Sequence, residues 1–205
     1  MHSSNRWQWL TGSLLIGAIL APSSVSAASG DVLVGTQLGG SSLAADTEGP
    51  GAAFSSFDHG TTLSGSVLAG YEGSYGDRAY RITGTLGHAK WDNARSLEAL
   101  GGVDFLWRQA DGSGVVYAGP RVGAVRFSDD ITDDINTEFA WGAEMGALTT
   151  LGSAPSSNGR PLSVGLFLRH TVIDGRQSGV ASNGLERDIR VSGQTWFGFQ
   201  VLLPL

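Results

Sequence analysis

Residues 96–109 read Ser-Leu-Glu-Ala-Leu-Gly-Gly-Val-Asp-Phe-Leu-Trp-Arg-Gln. Taken two at a time, one face is Leu97, Ala99, Gly101, Val103, Phe105 and Trp107. The other is Glu98, Leu100, Gly102, Asp104, Leu106 and Arg108. Apolar residues that recur two apart line one side of a strand, whereas a helix needs them three and four apart. This stretch is a strand with one greasy face and one mixed polar face.

The same pattern returns along the chain. In residues 137–151, Phe139, Trp141, Ala143, Met145 and Ala147 alternate with Glu138, Ala140, Gly142, Glu144 and Gly146. From Pro161 onward, Leu162, Val164, Leu166 and Leu168 oppose Ser163, Gly165, Phe167 and Arg169. Residues 189–205 place Val191, Thr195, Phe197, Phe199, Val201, Leu203 and Leu205 against Arg190, Ser192, Gln194, Trp196 and Gln200. Four further segments, 31–43, 61–75, 78–91 and 114–127, alternate with less contrast. Pro120 lies in the last of these and has no N–H for a ladder, so a bulge or a local edge is expected there. Eight such strands would fill more than half the chain that remains after the leader described below. That is too much strand for an ordinary domain and the amount that tilted, membrane-crossing strands require.

Composition narrows the class. Thirty-one glycines among 205 residues are about twice ordinary usage, and charged residues are only 16%. Six Trp, eight Phe and four Tyr exclude a disordered chain. The net charge of −6, with Lys90 as the single lysine beside twelve arginines, argues against nucleic acid as a partner. Cysteine is absent, so disulfide and thiolate chemistry are excluded.

Residues 1–27 have the order of a secretory signal peptide. A short segment carrying Arg6 is followed by the mostly apolar run Leu10 to Ala21 and the small-residue pattern Val25-Ser26-Ala27, which places cleavage before Ala28. Twelve helical residues rise about 18 Å, short of the ~30 Å needed to anchor in a bilayer. The domain reading is therefore leader 1–27 and barrel 28–205.

Turns separate the strands. Residues 73–77 and 110–114 are short and rich in glycine, as hairpins require. Residues 44–60, 128–136 and 174–188 are longer. An even strand number puts both termini on one side, so the three long loops fall together on the opposite, outer side. Two connections depart from this rule, the short 92–95 and the long 152–160.

Alternation alone does not say which face meets water. A soluble barrel would clothe its polar face in Lys and Glu. Here that face is Gly, Ser, Thr and Gln with scattered Arg, Asp and Glu, a set suited to filling a narrow lumen with paired groups. The aromatics Tyr71, Tyr75, Tyr80, Trp107, Phe139, Trp141, Phe197 and Phe199 fall near strand ends on the apolar face, like interfacial girdles. The expected fold is all-β, an eight-stranded antiparallel up-and-down transmembrane β-barrel; the alternative is a soluble sandwich or barrel with these aromatics in its core.

Over residues 28–205 the chain resembles the small eight-stranded outer-membrane barrels: the OmpA transmembrane domain, OmpX-type and opacity-type proteins. Strand count, loop asymmetry and the C-terminal segment Thr195-Trp-Phe-Gly-Phe-Gln-Val-Leu-Leu-Pro-Leu205 carry the resemblance. In that family the last strand usually ends in an aromatic residue; here it ends in Leu205, preceded by Pro204. The resemblance implies a bacterial outer-membrane location and a monomer without a cofactor. It further implies outer-membrane lipid, lipopolysaccharide and the barrel-insertion machinery as partners, and a structural or surface-interaction role through the outer loops. A small OmpW-type pore is a further possibility.

Three groups of residues are candidates for chemistry. Glu98, Asp104, Arg108, Arg121, Glu138, Glu144, Arg169 and Arg190 share inward parity, which suggests either a salt-bridged plug or a narrow ion path. Asp129, Asp130, Asp133 and Asp134 cluster in an outer loop, where carboxylates suit a hard cation, although the spacing is not that of an EF-hand and a solvated loop is the plainer reading. His170 shares the parity of the lipid-facing leucines. It resembles the catalytic histidine of outer-membrane lipid A deacylases, with Glu186 after the following loop in the orienting role. The position of that family's serine is Val172, which has no nucleophile.

Overall fold

A computed structural model describes residues 30–48, 60–91, 94–110, 113–129, 136–151, 162–180 and 186–205. The proposed leader lies outside these residues. Eight strands follow in chain order: β1 (Asp31–Glu48), β2 (Thr62–Tyr75), β3 (Arg78–Lys90), β4 (Ala94–Arg108), β5 (Gly114–Asp129), β6 (Asn136–Leu151), β7 (Leu162–Val180) and β8 (Glu186–Pro204). Each is antiparallel to the next, and β1 closes on β8 from Leu33↔Pro204 to Glu48↔Asp188. The result is a closed, all-β, eight-stranded antiparallel barrel.

The apolar face looks outward. Leu97 is 53% exposed, Trp141 57% and Phe199 69%, whereas Glu98 and Glu144 are buried at 1% and 3%. Outward side chains form a continuous belt of Val, Leu, Ile, Phe, Met and Trp around the barrel. An exposed apolar surface of this extent is far larger than a soluble monomer carries. Tyr71, Tyr75, Tyr80 and Trp107 gather at the end that holds the termini and the tight β2–β3 turn, where Gly76 takes a φ of 59°.

Pro120 produces a gap instead of a bulge. The β4–β5 ladder runs in one register on both sides of it, Gly102↔Arg121 and Phe105↔Ala118, and is interrupted between them. A missing N–H removes ladder bonds without inserting a residue. A real irregularity lies elsewhere, in β8. There Ala44 pairs with Gly193 and Ala45 with Val191, so Ser192 is an extra residue. A slip of one residue exchanges the two faces. Beyond it Val191 turns inward and Arg190 outward, the reverse of strict alternation from the C-terminus.

Two expected loops are shorter than the alternation indicated. β1 continues to Glu48, and β7 and β8 occupy most of 174–188. At this end β8 remains paired with β1 out to Glu48↔Asp188 and with β7 out to Val180↔Glu186. Its neighbours stop earlier: β2 leaves β1 at Ser41↔Thr62, and β6 leaves β7 at Ala140↔Ile173. Strands β7, β8 and β1 thus project beyond the rest of the rim as a three-stranded tongue.

Candidate functional site: a charged lumen between apolar layers

A barrel of eight strands is only wide enough for its own side chains, so every inward group must find a partner across the lumen. Arg169 of β7, fully buried, stands at the centre. Its Nη2 pairs with Glu98 Oε1 of β4, and its Nη1 donates to Glu144 Oε2 of β6 (3.3 Å) and Gln37 Oε1 of β1 (3.2 Å). Its guanidinium carbon also lies 4.8 Å from the centroid of the buried Trp196 ring, a cation–π arrangement. Arg121 of β5 forms the second node, bonded to Asp104 Oδ1 (2.7 Å) and to Glu144 Oε1 (3.2 Å). Glu144 therefore joins both arginines, and it accepts further bonds from Tyr117 Oη (3.1 Å) and Gln37 Nε2 (3.2 Å). Gln200 Nε2 donates to Tyr117 Oη (2.6 Å), which brings the last strand into the same network.

Toward the end holding the termini, Glu72 takes Arg81 (2.9 Å) on one side and Arg108 on the other. Two ion-pair clusters result: Arg121 and Arg169 with Glu98, Asp104 and Glu144 in the middle of the lumen, and Arg81 and Arg108 with Glu72 toward the vestibule; the four arginines and four carboxylates balance only when the two are taken together. Pairing and added hydrogen bonds are what permit such burial, because isolated ions in a low-dielectric interior are prohibitively costly and paired ones much less so. Room is made by small neighbours: Gly87 lies directly across from Glu98, where an added Cβ would come 2.6 Å from Glu98 Oε1.

Apolar layers flank these charges. On the side of the termini lie Leu68, Leu106, Leu148 and Leu202 around Tyr117. At the opposite end Leu43, Trp91, Phe127, Ile173 and Val191 close the lumen above Trp196 and Phe167. The β8 bulge is what delivers Val191 to this layer. Beside Arg81, Asp104, Arg121 and Glu144 a space of about 10 Å³ remains, enough for about one water. A vestibule of about 360 Å³, lined by Asp31, Glu72, Arg81, Arg108 and Thr150 among others, opens beyond Leu202.

Of the eight inward candidates, Glu98, Asp104, Arg121, Glu144 and Arg169 are brought together at the core of this network. Arg108 joins it only from the rim, with its side chain 58% exposed. Glu138 is half-buried near the opposite end, beside Gly175. Arg190 is outside the lumen: the bulge turns it outward, 3.7 Å from the exposed Asp174. Arg81, Glu72, Gln37 and Tyr117 are absent from the lumen residues expected from the sequence, and Trp196 and Gln200 stand there only as members of the polar face of β8. Parity held a signal for Arg81, Glu72 and Gln37, weakened by the Gly, Ser and Thr that make up much of the inward face of β1 to β3.

The hydrolase constellation does not assemble. His170 pairs in register with Thr195, and its Nδ1 lies 2.9 Å from Thr195 Oγ1. Glu186 pairs instead with Val180, ten residues further along β7, or about 33 Å of strand. No side chain spans that distance, so Glu186 does not orient His170. The outward imidazole finds its partner in a threonine hydroxyl, which offsets the cost of a polar ring on an apolar face. Asp129 is the last residue of β5, and Asp130, Asp133 and Asp134 lie outside the described residues. Among the described residues no group of three or more His, Cys, Asp or Glu is placed to hold a metal ion.

This geometry defines a closed eight-stranded barrel, greasy outside and charged within. Among solved structures it is similar to the crystal structure of Neisserial surface protein A, an eight-stranded outer-membrane barrel. The TM-score is 0.53 over 85% of this chain and 97% of that one, at 12% sequence identity. A scan of protein-family models finds no match, and a search of curated proteins finds none either.

Proposed function

We propose that this protein is a bacterial outer-membrane barrel with a closed lumen, acting as a monomer through the end that bears the β7–β8–β1 tongue. The observation that carries this reading is the double seal: a network of buried ion pairs fills the lumen between two apolar layers, and among the described residues only about 10 Å³ of space is found beside those pairs. A pore needs a continuous wetted route, and apolar constrictions close such routes by dewetting. The outward belt supports residence in lipid, and the likeness to an outer-membrane barrel supports the outer membrane as the location. No cofactor has a role on this reading. Its partners are outer-membrane lipid, the barrel-insertion machinery, and whatever docks on the projecting tongue and the connections beside it.

The mature barrel, refolded and inserted into a planar bilayer, is expected to give no discrete conductance steps. Reproducible steps from a preparation shown to be folded by its heat-modifiable gel mobility would favour an OmpW-type pore and contradict the closed lumen.

A further inference from the structure

On the outward face, β3 ends in Leu86, His88 and Lys90, and β4 begins with Arg95 and Leu97. Lys90 and Arg95 are directly cross-strand partners, both exposed. In that relation their Cβ atoms lie about 5 Å apart, and like charges so placed repel. His88, also exposed, adjoins them opposite Leu97, and Arg126 of β5 lies opposite Leu97 on its other side. Arg95 is held toward β5 by a bond from its Nε to Ser128 Oγ (2.6 Å). No described outward-facing residue of β3, β4 or β5 is acidic, in a chain whose net charge is −6.

The placement of these cations along the barrel is specific. They occupy the end of β3–β5 opposite the tight turns and the termini, at the border where the belt of Ile82, Leu86, Leu97, Val103 and Val122 stops. Below them the surface is apolar and suits acyl chains; at their own level it is cationic and suits an anion. A repelling pair directly over a lipid-facing shelf is the arrangement that a bridging phosphate stabilises, since one anion between two cations converts repulsion into two attractions. Long basic side chains at such a border extend to the headgroup level while their stems lie on the apolar surface.

We infer that His88, Lys90 and Arg95 form a binding site for the phosphate of an acylated outer-leaflet glycolipid, with Leu86 and Leu97 beneath them contacting its acyl chains. This rests on the membrane reading above, and adds to it a lipid class and an address on the barrel wall.

The test uses the folded mature barrel in detergent, with binding followed by native mass spectrometry. The probes are bisphosphorylated lipid A, the same lipid with its phosphates removed, and inorganic phosphate alone. Wild type is expected to retain the bisphosphorylated lipid over the dephosphorylated one, and the K90Q/R95Q variant to lose that preference about tenfold or more. Unchanged heat-modifiable mobility of the variant shows that the barrel still folds. Equal retention of both lipids by wild type, or an undiminished preference in the variant, would overturn the site. Displacement by inorganic phosphate at equal concentration would show a free-anion site and overturn the lipid assignment. A protein that does not insert into phospholipid vesicles at all would instead contradict the membrane reading, so the two failures are distinguishable.

Discussion

Replacing Arg169 by Leu is expected to destabilise the folded barrel by about 3–5 kcal/mol, the cost of leaving buried carboxylates without their cation. Arg169 is the only cation bonded to Glu98 and one of two bonded to Glu144 among the described residues. Its loss leaves Glu98 charged in a fully enclosed site, or forces it to take up a proton. The measurement is urea unfolding in phosphatidylcholine vesicles, followed by gel mobility. A second variant decides the cause: Arg169→Leu combined with Glu98→Gln is expected to recover more than half of the loss, because the stranded charge is then gone. If the double variant is no more stable than the single one, packing around Trp196 carries the effect and the network is not electrostatic in its contribution.

The second large effect is on the other face. Phe199 of β8 lies between Leu38 of β1 and Leu166 of β7, and all three are exposed. Arginine at this position is expected to cost about 2–4 kcal/mol if hydrocarbon surrounds it, as for basic residues near the midplane of a membrane barrel. In a water-soluble barrel the same surface change would fall within about 0.5 kcal/mol of zero. Ser192→Arg serves as the control, since Ser192 is exposed at the bulge beyond the apolar belt, next to the exposed Arg190 and Asp174. Its effect is expected to be small in vesicles. Equal effects at 192 and 199 would mean that the belt has no depth dependence.

Much of this fold is legible in the sequence because a barrel wall is a period-two object, and period two survives without any knowledge of long-range contacts. The faces of 96–109 and 137–151 carry large apolar residues against carboxylates, so both their strand character and their orientation can be read directly. In β1 to β3 the inward face is mostly Gly, Ser and Thr, too neutral to stand out, and this hid Arg81 and Gln37 from the list of lumen residues. Strict alternation also fails where backbone irregularity intervenes. The extra Ser192 inverts the faces of β8, which put Arg190 on the wrong side and concealed Val191 as part of the outer seal. Nor does parity report height along the barrel. His170 and Glu186 were grouped by analogy across a connection that is largely strand, and register separates them. The apolar layer of Leu43, Trp91, Phe127, Ile173 and Val191 is likewise invisible to a rule that expects only polar residues inside.

Quenching of tryptophan by lipids brominated on their acyl chains tests the central claim most directly. Trp141 is 57% exposed on the outer wall, and Trp196 is fully buried inside it. In variants that keep one of these as the single tryptophan, inserted in brominated vesicles, Trp141 fluorescence should be strongly quenched and that of Trp196 much less. Folded protein whose Trp141 emission is indifferent to the bromine would place water, not hydrocarbon, against that face and contradict the account.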